Sequence, residues 1–314
     1  MKTLAINITT KLAINDATQQ IRMCAERFGL PLILIVQAGP GLPLLHEVTK
    51  FQRRLNLEKN FTVCYWDQRG CGIALRHDAT NVSLPQQVDD LRAILRWLNN
   101  ETKQTIIVFG ISLGATIALQ TAENEPDIVK AIIAISPDAN IARSDAAAAS
   151  FLKEQSAIAS NGRLGAKLMK LGELPYINSA TFQLRASMLA DLGGIEHGKR
   201  FGTLLRETLF SLISTYGLLG TVRALRNMNR VQNILLPQLV SLNLFSDPPR
   251  LSVPVHYIFG EQDPLTPPDI AKELPLAIST PHATVKLVKN AGHMVHFDQP
   301  DIVLSIILNA NDGK

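Results

Sequence analysis

The sequence predicts an α/β fold: a mostly parallel sheet with helices on both faces and an inserted helical cap. Short runs rich in β-branched residues recur along the 314-residue chain with stretches of helical period between them. Parallel strands need such crossovers to bring the chain back to the same end of the sheet. The strand signals vanish between Asp138 and Arg250 and resume at Val253, so the helical stretch between them reads as an insertion over the strand ends. Hydrophobic residues make up 46% of the chain and charged residues 18%, a balance that excludes disorder and allows a sizeable buried core. The expected division is a core of residues 1–137 and 251–314 and a helical cap of residues 138–250.

Taken in order, strands are expected at residues 20–25, 32–37 and 61–66, each a short apolar run bounded by polar or turn residues. A helix over 84–98 then places Val88, Leu91, Leu95 and Leu98 on one face, with Ser83 as its cap. The strand 105–109 runs through a turn into a helix at 113–122, and strand 131–135 follows. The insertion carries helices at 146–156, 203–214 and 220–229, after which strands 255–259 and 284–288 resume the alternation. In open sheets of this kind ligands bind outside the carboxyl ends of the strands, so the loops after the strands are where a site belongs.

Net charge is +4 with no run of lysines and arginines, which makes nucleic acid an unexpected partner. Residues 1–17 lack the apolar run and small-residue cleavage pattern of a secretory signal, and the apolar stretch 30–36 is too short to span a bilayer. A soluble, cytoplasmic protein with no membrane partner is the expectation. Cys24, Cys64 and Cys71 are odd in number and lack metal-ligand spacing, so neither a disulfide framework nor a zinc site is expected. Cys71 lies in a Gly-rich loop near the proposed site, where oxidation could matter; a plain buried or loop thiol is the simpler reading.

The segment from Ile106 to Thr116 carries the chemistry. An apolar strand enters Gly110-Ile111-Ser112-Leu113-Gly114 and a helix leaves it, the setting in which a serine sits exposed on a sharp elbow as a nucleophile. A serine hydroxyl is a poor nucleophile at neutral pH and needs a base, and the base needs an orienting group. Asp263 follows the strand 255–259, with Glu261 as its rival. His293 follows the strand 284–288 in Ala291-Gly292-His293, with His296 as the main rival. His46, His77, His197, His256 and His282 read as surface or core histidines. The order Ser112, Asp263, His293 is that of an α/β-hydrolase triad. Oxyanion donors are expected from the Leu113 N–H and from Gly39, in the loop after strand 32–37, because Pro40 has no N–H to offer.

On these residues the chain resembles the proline iminopeptidase group of α/β-hydrolases. Gln37-Ala38-Gly39-Pro40-Gly41 is similar to that family's His-Gly-Gly-Pro-Gly oxyanion loop. Asp67-Gln68-Arg69-Gly70-Cys71-Gly72 matches its Asp-Gln-Arg-Gly-x-Gly segment, and Gly110 to Gly114 supplies the elbow where the family has Gly-Gly-Ser-Trp-Gly. Gln37 and Ala38 replace the loop's histidine and glycine, and Leu113 replaces the tryptophan. The expected role of Asp67 and Arg69 is structural, pairing with each other or with loop backbone to hold the oxyanion loop.

The resemblance implies acidic cap residues that bind a substrate's free α-ammonium. Residues 138–250 hold 13 Lys and Arg against 8 Asp and Glu, so the cap is acid-poor. Glu173, Glu196 and Glu207 are the candidate amine ligands, the last two having Lys199, Arg200 and Arg206 as plainer helix-surface partners. Phe151, Tyr176, Phe182, Phe201, Phe210, Tyr216 and Phe245 suit an apolar acyl lining, although most such residues serve to pack the cap. The expectation is a cofactor-free serine hydrolase that cleaves a small ester, amide or short peptide through an acyl-enzyme. A carboxylesterase or lactonase acting on substrates without a free amine is the first alternative, and a non-catalytic ligand-binding protein on the same scaffold the second.

Overall fold

The computed structural model describes residues 4–76, 81–158 and 162–313. Its eight-stranded sheet has the order β1-β2-β4-β3-β5-β6-β7-β8. In chain order these strands are β1 (Ile6–Ile14), β2 (Ala17–Ala25), β3 (Leu32–Val36), β4 (Thr62–Asp67), β5 (Ile106–Ile111), β6 (Val129–Ile135), β7 (Val255–Gly260) and β8 (Ala283–Val288). β1 pairs antiparallel with β2 and β2 with β4, whereas every pairing from β4 through β3 to β8 is parallel.

All seven expected strands are present, and β1 is additional. It forms a hairpin with β2 through Asn15 and Asp16, with Asn15 at φ 52°. The left-handed conformation asparagine tolerates was the available sequence signal for it. The other helices of the core are α1 (Val48–Arg54), α2 (Leu84–Thr102) and α3 (Leu113–Ala122). In α2 the Ser83 hydroxyl accepts from Gln86 N at 3.2 Å, as the cap reading expected.

Strand residues alternate between two apolar layers, which is what puts helices on both faces. Leu32, Leu34, Val36 and Val108 pack against Leu91, Ile94, Leu95 and Leu98 of α2 and against α3. Ile33, Ile35, Ile107 and Phe109 pack the other way, onto Val48 and Phe51 of α1 and onto Val303 and Ile307.

Between β6 and β7 lie α4 (Ile141–Ile158), α5 (Gly162–Leu171), α6 (Ser179–Asp191) and α7 (Phe201–Leu239). The expected helices 203–214 and 220–229 are one run, broken at Gly217 by φ 69° and ψ 177°. By length and composition α7 is long and apolar enough to cross a membrane, yet only 17% of its most apolar window is buried. After β7 come α8 (Pro268–Ala277), α9 (Val295–Asp298) and α10 (Pro300–Asn311).

Asp67 and Arg69 anchor loops, but not through each other. The Asp67 carboxylate accepts from Leu44 N at 2.6 Å, Leu45 N at 2.9 Å and the Tyr216 hydroxyl at 2.7 Å. Arg69 instead forks onto Asp90 at 2.7 and 2.8 Å and reaches Asp16 at 2.6 Å. Asp90 also accepts from Asn15, Gln19 and Gln86, so one buried carboxylate ties the N-terminal hairpin and α2 to the loop after β4. Removing one member of a buried pair leaves the other charge uncompensated. Asp90→Ala is expected to cost about 3–5 kcal/mol, read as a lower urea midpoint.

Candidate active site

Ser112 sits between β5 and α3 at φ 53° and ψ −122°, a conformation a non-glycine residue holds only when its surroundings impose it. The elbow's glycines are forced by close approach. A Cβ on Gly110 would stand 2.7 Å from Ala115 N, and one on Gly114 would overlap the Val36 and Gln37 carbonyl oxygens. Gly39 lies against the same turn, where an added Cβ would meet the Leu113 side chain at 3.0 Å. The two residues expected to donate to an oxyanion are therefore neighbours beside the serine.

His293 and Asp263 meet at the ends of β8 and β7, with His293 Nδ1 2.8 Å from Asp263 Oδ2. The second Asp263 oxygen accepts from Leu265 N at 2.8 Å and Thr266 N at 3.1 Å. The insertion grips the histidine's backbone, His293 N donating to Gly194 O and Met294 N to Ile195 O, both at 2.9 Å. Burial pulls the His293 pKa down, but the charge and hydrogen bond of Asp263, helped by Asp138, outweigh it, so the imidazole lies above its ordinary 6.5. Burial likewise opposes ionisation of Asp263, and His293 outweighs it to hold that carboxyl low.

The rivals lie elsewhere. Glu261 is exposed. His296 is buried in the core, stacked on Phe51 at 5.3 Å, and burial holds it neutral. His256 bonds Thr284, His46 bonds Ser211, and His197 and His282 are exposed. His77 lies outside the described residues. Cys24, Cys64 and Cys71 are free and buried. At Cys71, burial and then the neighbouring Asp67 push the thiol's pKa up, which makes it a poor nucleophile. Gln37, standing where the iminopeptidase pattern has histidine, is buried, donates to Glu47 at 2.8 Å and accepts from Ala38 N at 3.1 Å. Its side chain holds the loop.

One residue beside Ser112 was not anticipated from the sequence. The Ser112 hydroxyl donates to Asp138 Oδ2 at 3.2 Å, and Asp138 is partly accessible at the end of β6. Burial raises its pKa, against the pull of His293, Arg185 and the Ser112 hydrogen bond. The same strand-end reasoning that found Asp263 applied to Ser136-Pro137-Asp138, but Asp138 had been grouped with the insertion. Arg185 of α6 is 6% exposed, pairs with Asp145 and packs its guanidinium over Phe182 at 4.9 Å. Burial, only partly opposed by Asp138, pulls its pKa down to about 10.

The expected amine ligands of the insertion are occupied or exposed. Glu196 pairs with Lys50 and Lys199, Glu207 pairs with Lys199, and Glu173 faces solvent. The aromatic lining is scattered as well, since Tyr216 holds Asp67, Phe245 packs under Arg143 and Phe210 is 76% exposed. A cavity of about 710 Å³ opens between insertion residues Phe151, Leu192 and Arg200 and core residues Gln262, Asp263 and Pro264. It borders Asp263, and Ser112, Asp263 and His293 are only 5%, 4% and 4% exposed. Among the described residues no group of three or more His, Cys, Asp or Glu side chains is arranged to hold a metal ion.

The chain is 24% identical over 304 residues to the probable aminopeptidase YbaC of Bacillus subtilis (strain 168), covering 95% of this chain and 94% of that protein. Among solved structures it resembles the proline iminopeptidase of Mycobacterium smegmatis, with a TM-score of 0.66, 18% identity and 97% of each chain covered. It also resembles an esterase from Thermogutta terrifontis, with a TM-score of 0.59, 18% identity, and 98% of this chain and 99% of that one covered. The model of the alpha/beta hydrolase fold matches residues 31–300, and this chain belongs to that family.

Proposed function

We propose that this chain is a serine hydrolase in which Ser112 attacks a carbonyl, His293 takes and returns the proton, and Asp263 orients His293. Gly39 and Leu113 N–H groups receive the oxyanion. The observation that carries this reading is the buried His293–Asp263 pair at 2.8 Å, in which the carboxylate raises the imidazole above its ordinary value. The substrate is an aminoacyl amide or short peptide with a free amino terminus, bound beneath residues 138–250 acting as a cap. With Ser112 so little exposed, entry requires the cap to move off the strand ends.

Asp138 favours the aminopeptidase reading over an ester reading. In an aminoacyl group the ammonium nitrogen lies about 2.5 Å from the carbonyl carbon, by ordinary backbone dimensions. A hydroxyl attacks that carbon from about 3 Å. The ammonium is thus held a few ångströms from Ser112 Oγ, the neighbourhood Asp138 Oδ2 occupies at 3.2 Å. An arriving ammonium takes over that carboxylate and frees the Ser112 hydroxyl to turn to His293. An acyl ester without an amine leaves Asp138 holding the nucleophile. Asp138, at the strand end where the insertion begins, thus supplies the charge that the acid-poor remainder of the insertion does not. The YbaC name points to the same class. A soluble cytoplasmic location belongs to this reading.

Ser112→Ala is expected to lower kcat by about 10⁶-fold on aminoacyl aryl-amides while leaving the circular dichroism spectrum unchanged; retained activity overturns the nucleophile. Asp138→Asn is expected to raise KM for amine-bearing amides by about 10–100-fold, the loss of one charge-assisted hydrogen bond, and to spare esters without an amine. Equal losses on both substrates overturn the amine role. The acid limb of kcat/KM is expected above pH 6.5 because His293 must be neutral to act as base. Removing the Asp138 charge destabilises the imidazolium, so in Asp138→Asn the limb moves to lower pH.

A further inference from the structure

We propose that the outer face of α7, with the groove beside it, docks on an anionic lipid surface. Phe210 is 76%, Leu218 70% and Leu219 88% exposed, and Leu205, Ile213 and Val222 are each more than two-fifths exposed. A helix this apolar is ordinarily buried when it belongs to a soluble core; a contiguous apolar face left in solvent marks a binding surface. Past the Gly217 break, Leu219, Val222, Arg223, Arg226 and Arg230 follow at helical spacing. They form one wall of a groove of about 520 Å³ whose other wall is the segment Ala74 to Arg76.

Two features fix the occupant's chemistry. Four guanidinium groups, those of Arg76, Arg223, Arg226 and Arg230, line this groove, and none pairs with a carboxylate among the described residues. Arg230 Nη1 is buried there without a hydrogen-bond acceptor, a donor that a phosphate oxygen satisfies. Leucines and a phenylalanine at the same helix's exposed turns need acyl chain, which a free anion does not provide. A second copy meeting this face with its own α7 supplies no countercharge, because Glu207 is the one acid on α7 and it is held by Lys199.

Arginine beside exposed leucine on one helix is the pattern of an interfacial anchor, with basic groups at the headgroups and apolar ones below them. The helix docks in place and does not insert across the bilayer. Tyr216 is bonded to Asp67, Asn227 to the Gly72 and Ala74 carbonyls, and Gln232 to the Pro40 carbonyl, and Arg206, Arg223, Arg226 and Arg230 make the helix costly to bury in hydrocarbon. The expectation of no membrane partner rested on the lack of a spanning segment, which does not bear on a helix lying at the surface of a bilayer.

Co-sedimentation with extruded vesicles tests this, using the full chain at 50 mM salt with phosphatidylcholine alone or mixed 7:3 with phosphatidylglycerol. The wild type is expected to pellet with the mixed vesicles at least tenfold better than with phosphatidylcholine. The triple variant Arg223→Gln, Arg226→Gln, Arg230→Gln is expected to lose about 100-fold in partitioning, near fivefold per arginine, and Leu219→Asp at least tenfold. Both variants keep wild-type turnover of a soluble substrate, which shows that the fold and the Ser112 site are intact. A wild type that stays in the supernatant, or arginine variants that bind as well as it does, overturns the proposal. So does a dimer that Leu219→Asp splits, which assigns the face to a second copy.

Discussion

The Asp67 carboxylate is the constraint on which the arrangement around Ser112 depends. Sitting at the end of β4, it accepts two backbone N–H groups from Leu44 and Leu45 and the Tyr216 hydroxyl. One buried group thereby joins the sheet, the segment that follows the Gly39 loop, and α7. Burial drives its pKa up and those three hydrogen bonds oppose the rise. A buried carboxylate is tolerated only when its lone pairs are met, so each of the three elements is held by the other two. Arg69, two residues on, does the same for the N-terminal hairpin and α2 through Asp90.

The charges around the serine form a second linked set. Asp263 and Asp138 both raise His293, and Arg185 opposes them from α6. Asp138 touches Ser112 and feels His293, so it connects the position of the Ser112 hydroxyl to the protonation of His293. Such groups titrate as a coupled system, and any cation placed among them changes all their balances at once. The insertion takes part directly, since its backbone carbonyls at Gly194 and Ile195 hold His293 and Met294.

The elbow was legible because glycine at 110 and 114 leaves few alternatives to a sharp strand-to-helix turn, and β-branched residues before it fix the strand. Asp263 and His293 were legible because both follow strong strands, and parallel sheets deliver strand ends to one edge. β1 escaped because its nine residues alternate only weakly and face solvent on much of their length. The merging of two expected helices into α7 escaped because Gly217 reads as a break and yet lets the chain resume helix in a new direction. Of the two roles expected of Asp67 and Arg69, Asp67 takes the pairing with loop backbone, at Leu44 and Leu45, while Arg69 lies past the end of β4 and turns to Asp90.

By itself the sequence determined the alternation of strands and helices, the strained turn at Ser112 and the residues available to serve it, since these follow from local period, glycine placement and order along the chain. Only the tertiary structure decided that Ser112 rests on Asp138, that Lys50 joins Lys199 on Glu196, and that the leucines of α7 face outward beside four arginines. The two pairings join side chains 26 and 146 positions apart in the sequence, and long-range pairing leaves no local signature.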